Sequence, residues 1–234
     1  MVKELLSQWE TEVELVDVLE NPQSKTYLES QGIPFVPALE WDGEWVQGWY
    51  GEDYAQLLGV EYTGPSMLPA GELAERMLKV LKTFLKIAEA VPLELLDFEA
   101  PQGNRTLRDL LFHSFRVAGT LVESLEGGFK QPDTPLKSPG GTELANRAAL
   151  VVLGEETLWR VENCLASREE VIKTGSLKTR DGQMSVHKLL ERATWHCTQH
   201  LRQVDDILRI AKVTPSVEVE ASLFQGLPLP ESIW

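Results

Sequence analysis

His196 and His200 are the residues whose type and spacing most directly suggest chemistry. They lie four positions apart in a segment, residues 185–211, whose apolar residues recur with the spacing of one helix face. Both histidines fall on that apolar face, so their imidazoles project over the same helical turn and can chelate one metal ion. His113 follows Leu110 by three positions in another apolar helical pattern and can supply a third ligand.

Three imidazoles around one ion leave at least one coordination position for water or substrate. That arrangement is typical of a catalytic metal site rather than a structural one. Three imidazoles suit zinc, nickel, iron or copper. The alternative is that these histidines are buried, neutral and hydrogen-bonded to other protein groups. Burying imidazoles on an apolar face without a partner is costly, but spacing alone leaves both interpretations open.

The remaining histidine, the two cysteines and a group of glutamates have simpler interpretations. His187 precedes the apolar face and is predicted at the surface or at the helix start. Cys197 is next to His196, but adjacent helical residues point about 100° apart, so Cys197 is interpreted first as a core residue and second as a redox or ligand thiol. Cys164 is predicted to be structural. Three glutamates are interpreted as a solvated stripe rather than as partners of the histidines: Glu155, Glu156 and Glu162.

Four long amphipathic patterns would position the histidines. They cover residues 72–91, 106–125, 142–166 and 185–211, with Gly- and Pro-rich connectors between them. Four such helices predict an all-α four-helix bundle over residues 69–212. Residues 213–234 are predicted to be a tail that packs on the bundle. Residues 1–61 read as an α/β domain, which makes the chain α+β overall.

Within the first domain, the pattern alternates short helices and strands. A short helix over residues 2–8 precedes a predicted strand over residues 12–19 with a mostly buried face. Asn21-Pro22 starts a helix that ends at Gly32. Asp42-Gly43 predicts a hairpin turn, and a helix over residues 52–58 closes the domain.

The composition excludes several functional classes. The chain has 234 residues, with 22 Lys and Arg against 36 Asp and Glu, and the net charge of −14 argues against nucleic-acid binding. Two cysteines cannot build a disulfide framework. Neither a basic apolar leader nor an apolar run of membrane-spanning length occurs, so the expected location is the cytoplasm, with no membrane partner.

Two segments resemble the DinB-like family. The last bundle helix of that family resembles residues 182–203, GQMSVHKLLERATWHCTQHLRQ. Its second-helix motif resembles residues 104–113, NRTLRDLLFH. The family is a four-helix bundle with a divalent metal ion on three histidines. The resemblance therefore implies that His113, His196 and His200 bind zinc, nickel or iron. It covers roughly residues 69–211 and also implies a homodimer.

The same resemblance suggests a reaction class. Characterised family members include metal-dependent transferases that act with low-molecular-weight thiols. It therefore implies a thiol-dependent S-transferase whose partners are a small-molecule thiol and an electrophile, because a divalent cation stabilises a thiolate. The alternative is a non-enzymatic metal-binding or stress-response protein whose bundle provides an interaction surface, because the family also contains many members without an assigned activity.

Residues 5–59 resemble a glutaredoxin or thioredoxin-like domain. The resemblance rests on the strand Val13–Val18, the Pro22 helix, the Val36-Pro37 pair and the Asp42-Gly43 hairpin with Gly48. It implies that Pro37 is cis and that Val36 and Pro37 bind a thiol. The alternative is that this domain has no thiol-binding role and only packs against the bundle. The first strand and the Cys-x-x-Cys motif of that family are missing, so redox catalysis by this domain is excluded. Either the strands close up, another segment fills the gap, or the recorded start codon is too late, which is the favoured explanation.

Overall fold

The structure is a computed structural model that describes residues 2–18, 20–33, 36–99, 105–127, 146–179, 182–213 and 218–233. In these ranges the chain has eight α-helices and two two-stranded antiparallel sheets, a mixed α+β composition. The chain divides into two compact units, Met1–Pro65 and Ser66–Trp234.

The first unit contains three helices and one hairpin. In chain order these are α1 (Val2–Gln8), α2 (Pro22–Ser30), β1 (Ala38–Trp41), β2 (Glu44–Gln47) and α3 (Gly51–Leu58). The hairpin turn is Asp42-Gly43, with φ values of 51° and 82°, as the two-residue turn that follows right-handed strand twist requires. A small core joins α1, β1 and α3 through Val2, Leu6, Leu39 and Tyr54.

The predictions for this unit are partly confirmed. Asn21 caps α2 by accepting a hydrogen bond from the Ser24 amide at 3.2 Å, and the Val36-Pro37 peptide is cis. The strand predicted over residues 12–19 is wrong: residues 12–18 are not a strand, Leu15 is 61% exposed, and Leu19 lies outside the described residues. A strand requires a neighbouring ladder, and β1 and β2, the only strands described in this unit, pair with each other alone.

The second unit is built around four long helices. These are α4 (Ala70–Ala90), α5 (Leu107–Gly127), α6 (Arg147–Ser167) and α8 (Val186–Ile210). Both α4 and α5 pack against α6 and α8, and all four contribute to one apolar core. The positions match the four predicted helical patterns, except that residues 142–145 of the third pattern lie outside the described residues.

Side-chain caps set the start of the two helices that carry the histidines. Thr106 Oγ1 accepts from the Asp109 amide at 3.1 Å, and Asp109 Oδ2 accepts from the Thr106 amide at 3.2 Å, a reciprocal capping box at α5. Ser185 Oγ accepts from the Lys188 amide at 3.1 Å at the start of α8. These caps satisfy amide groups that a helix end leaves open, and so they fix where each helix begins.

The connection between α6 and α8 contains structure that the sequence patterns did not predict. A short helix, α7 (Glu169–Thr174), is followed by a hairpin of β3 (Ser176–Thr179) and β4 (Gly182–Ser185). The sequence predicts only one of the Gly- and Pro-rich connectors over residues 175–182. In the part of the chain that is described, no helix combines the length and apolarity needed to cross a bilayer.

Candidate metal centre

The three histidines singled out by spacing converge in the second unit. His113 comes from α5, and His196 and His200 come from α8. Their ring centroids lie 4.8–5.2 Å apart, and one ring nitrogen from each lies within 4.8 Å of the others. His113 and His200 are only 5% and 7% exposed. Among the described residues, this is the one group of three or more His, Cys, Asp or Glu side chains close enough to share an ion.

The nitrogen spacing of the first pair fits a metal ligand set. The Nε2 atoms of His113 and His196 are 3.3 Å apart. Two nitrogens that each lie 2.0–2.1 Å from a tetrahedral zinc ion are about 3.3 Å apart. The same distance also suits a hydrogen bond between two neutral imidazoles, so this pair by itself does not distinguish the two interpretations.

His200 favours the metal interpretation. Its Nδ1 lies 2.7 Å from Oε1 of Gln203, whereas its Nε2 is buried and has no hydrogen-bond partner among the residues that the structure describes. A buried polar atom without a partner is costly and uncommon in a folded protein. The unpartnered nitrogen belongs to the cluster in which the other two imidazoles lie, so an ion that accepts its lone pair would satisfy it. The donor set therefore fits a divalent metal ion.

The electrostatics of the cluster keep the imidazoles in the form that binds metal. Burial, followed by the neighbouring His200 and His113, holds the pKa of His196 well below its ordinary value. Burial also lowers the pKa of His200 to about 3, and the positive charge of Arg105 acts in the same direction on both. A neutral imidazole offers a lone pair to a cation, whereas an imidazolium offers none.

The two cysteines are not part of the cluster. Cys197 is fully buried, its Sγ lies 3.5 Å from the Ser114 carbonyl oxygen, and burial raises its thiol pKa to about 12. Its interpretation as a core residue is therefore favoured over a reactive thiol. Cys164 is also buried, and burial raises its pKa.

The other predicted side chains lie away from the cluster. Glu155, Glu156 and Glu162 are exposed on α6, which confirms their interpretation as a solvated stripe. His187 lies in the first turn of α8, where its Nε2 donates to the Leu68 carbonyl oxygen at 2.8 Å.

Val36 and Pro37, which the glutaredoxin resemblance implies to be thiol-binding, belong to the first unit. Val36 is 51% exposed. The Pro37 carbonyl oxygen accepts from the Gly48 amide at 2.8 Å and from the Tyr54 hydroxyl at 3.2 Å. This carbonyl therefore has two partners within the unit. Val36 is exposed, and Pro37 is half-buried.

Sequence reasoning did not assign roles to Gln203 or to the C-terminal residues that contact it. Gln203 follows His200 by three positions, and side chains at that spacing are neighbours on a helix. That spacing could have identified Gln203 as a partner of His200. Comparisons of the chain with protein-family models, with curated proteins and with solved structures found no match.

Proposed function

We propose that this protein binds one divalent metal ion through the Nε2 atoms of His113, His196 and His200. The observation that carries the proposal is the buried Nε2 of His200. It has no hydrogen-bond partner within the described part of the chain, while the opposite nitrogen of the same ring has one. A hydrogen bond between His113 and His196 would account for two imidazoles without a metal, but it would leave His200 Nε2 unsatisfied. An ion shared by all three accounts for the Nε2 atom of each imidazole.

The second unit is proposed to be a four-helix bundle of the DinB type, and the first unit a thioredoxin-like remnant. For the second unit, the support is the packing of α4 and α5 against α6 and α8, with one histidine on the second long helix and two on the fourth. For the first unit, the support is the order of its elements, in which the helix α2 precedes the β1–β2 hairpin and the helix α3 follows it.

The reaction class we propose is transfer of a low-molecular-weight thiol to an electrophile. Three protein ligands leave a coordination position open, and a divalent ion there would lower the pKa of a bound thiol. Around it, Arg105 and Arg192 lie close enough for their positive charges to lower the pKa of His196. Positive side chains beside the site favour an anionic co-substrate, such as a thiol that carries carboxylates.

Metal analysis of untagged protein tests the ion. After incubation with zinc, nickel or iron and removal of free metal, we expect one ion per chain in the wild type. His113→Gln, His196→Gln and His200→Gln should each lose most of it. His187→Gln is the matched control, because His187 is on α8 but bonds to Leu68 rather than to the cluster. No bound metal in the wild type, or equal metal content in all four variants, would refute the proposal.

Turnover of electrophiles with a panel of thiols tests the reaction class. We expect activity that is lost after chelation and restored by the metal, and that His200→Gln abolishes. Metal binding without turnover by any thiol would reject the transferase and support the alternative of a non-enzymatic metal-binding protein.

A further inference from the structure

We infer that Gln203 is a positioning residue of the metal centre, and that the C-terminal strap, residues 228–233, orients its amide. Gln203 keeps the hydrogen of His200 on Nδ1 and leaves the Nε2 lone pair to the metal. The inference rests on the proposed function for its consequence, metal affinity. The tautomer of His200 that we infer is the same in the metal-free protein, so it can be measured without metal.

The contact of Gln203 with the strap determines the orientation of its amide. Its Nε2 lies 3.0 Å from the Ile233 carbonyl oxygen, which can only accept a hydrogen bond. The amide nitrogen must therefore face Ile233, and the amide oxygen faces Nδ1 of His200 at 2.7 Å. Because Oε1 has no hydrogen to give, Nδ1 is the donor of this bond. The backbone of the strap thus determines which atom His200 meets.

The bond between His200 Nδ1 and Gln203 Oε1 selects one tautomer of His200. A neutral imidazole carries its hydrogen on one nitrogen and its lone pair on the other, and the bond made by one nitrogen decides the role of the second. With the hydrogen on Nδ1, the lone pair is on the buried Nε2, inside the cluster. The opposite tautomer would set the Nδ1 lone pair against that of Gln203 Oε1. Partners of this kind fix the orientation of metal-binding histidines and raise their basicity.

Side chains of α8 hold the strap against this helix. Three further α8 side chains donate to its carbonyl oxygens. Trp195 Nε1 bonds to Pro228, and Arg202 reaches Pro230 at 2.6 Å and Glu231 at 3.2 Å. Gln199 Nε2 donates to the Ile233 carbonyl oxygen at 2.8 Å, so this acceptor receives two glutamine amides. The strap is therefore bound through its backbone along the helix that carries His196 and His200.

Gln199 and Gln203 form a matched pair for the test. Both donate to the Ile233 carbonyl oxygen. The amide oxygen of Gln203, unlike that of Gln199, accepts from His200 Nδ1. Gln203→Leu removes both bonds of Gln203. Gln199→Leu removes the bonds of Gln199 to Ser232, Ile233 and Arg202 without touching His200. Gln203→Glu keeps an acceptor for Nδ1 and removes the donor to Ile233. A carboxylate at that position lies on the Nδ1 side of the ring, away from Nε2.

The first measurement is the tautomer of His200 in the metal-free protein, read from two-bond ¹H–¹⁵N correlations at about pH 8, where imidazoles are neutral. We expect the Nδ1–H form in the wild type, Gln199→Leu and Gln203→Glu, and a mixture of tautomers in Gln203→Leu. The same tautomer in Gln203→Leu as in the wild type would overturn the role of Gln203, whether or not the protein binds metal.

The second measurement is the affinity for zinc, determined by competition with a chromophoric chelator. Gln203→Leu should bind about 10- to 100-fold more weakly, the usual effect of removing an outer partner of a metal-binding histidine. Gln203→Glu should stay within about 3-fold of the wild type. Gln199→Leu, which like Arg202→Met removes bonds to the strap, should lose less affinity than Gln203→Leu. Zinc binding by the wild type with an unchanged affinity in Gln203→Leu would overturn the inference and leave the proposed function standing. Absence of zinc binding in the wild type would instead reject the proposed function, and the tautomer would still decide the role of Gln203.

Arg202→Met tests the strap itself. The variant removes the bonds to Pro230 and Glu231 and leaves Gln203 in place. We expect a weaker effect on zinc affinity in the same direction as Gln203→Leu, and little further loss when the two changes are combined, because both act through one contact. Additive losses, or no loss in Arg202→Met, would show that the strap does not act through Gln203.

Discussion

The Nε2 atoms of His113 and His196 lie 3.3 Å apart although the residues are 83 positions apart in the chain. His113 is on α5 and His196 is on α8, two helices that pack against each other around the same core. An ion held by both would connect two helices that are distant in sequence. Metal binding and the stability of the second unit should therefore be coupled, because an ion that binds only the folded state stabilises it.

His200→Leu should separate two effects of His200 on the free energy of unfolding: that of a buried imidazole in the metal-free protein, and that of binding zinc. In the metal-free protein we expect a nearly unchanged free energy of unfolding. The substitution removes a buried nitrogen that has no partner among the described residues, but it also breaks the bond between Nδ1 and Gln203. With zinc at about 100 times the dissociation constant, the wild type should gain about 2.7 kcal/mol and the variant nothing. Urea unfolding with and without zinc measures both values. An equal gain in wild type and variant would contradict the prediction.

The stability of the metal-free protein should fall as the pH is lowered from about 6.5. Burial lowers the pKa of His200 to about 3 and holds that of His196 well below its ordinary value, whereas both titrate near 6.5 when unfolded. Between the two values the unfolded chain binds more protons, so stability is present above pH 6.5 and is lost toward acid. Each histidine contributes a slope of up to about 1.4 kcal/mol per pH unit.

Urea unfolding between about pH 7 and pH 5, above the range where most carboxylates titrate, measures this slope. In His200→Leu it should be smaller than in the wild type, because one of the two titrating groups is gone. A slope that is unchanged in this variant would show that His200 does not contribute to the acid sensitivity.

Gly154→Ala should destabilise the second unit although alanine is the better helix former. A Cβ at Gly154 on α6 would lie 2.7 Å from Cζ of Phe115, a fully buried ring on α5. We expect a loss of about 1–3 kcal/mol, as for other overpacked cores. Gly71→Ala on α4 is the control, since nothing lies within 4 Å of its added methyl group, and it should gain up to about 1 kcal/mol. Urea unfolding measures the free energy of unfolding of both variants. A higher value in Gly154→Ala than in the wild type would contradict the predicted clash.

Tyr54→Phe should loosen the first unit. The Tyr54 hydroxyl lies 2.7 Å from the Gly48 carbonyl oxygen and 3.2 Å from that of Pro37, and it joins α3 to the segments on either side of the hairpin. Loss of this buried bond should cost about 1 kcal/mol, seen as faster hydrogen exchange in residues 37–58. Tyr27→Phe is the control, because Tyr27 is exposed on α2, and it should exchange as the wild type does. Equal exchange in Tyr54→Phe and the wild type would show that this bond does not hold the unit together.

Local sequence patterns were sufficient where the structure is local. The long helices, the caps at Asn21 and Thr106 and the Asp42-Gly43 turn each depend on residues within a few positions of one another. The strand predicted over residues 12–19 failed for the opposite reason, since its alternation of acidic and apolar residues says nothing about whether a partner strand is present. The β3–β4 hairpin was missed because its strands are only four residues long and lie within a Gly-containing stretch.

The sequence by itself determined the ligand types of the candidate site. The spacing of His196 and His200 already places both on one helix face, because that relation depends only on helical geometry. The tertiary structure decided which other elements meet that face: His113 from α5, and the Ile233 carbonyl oxygen that orients Gln203. Contacts between segments distant in the chain depend on how whole helix faces pack, and a pattern with a period of a few residues carries no information about the partner. For that reason the orientation of the Gln203 amide, which we infer to set the tautomer of His200, depends on the tertiary structure.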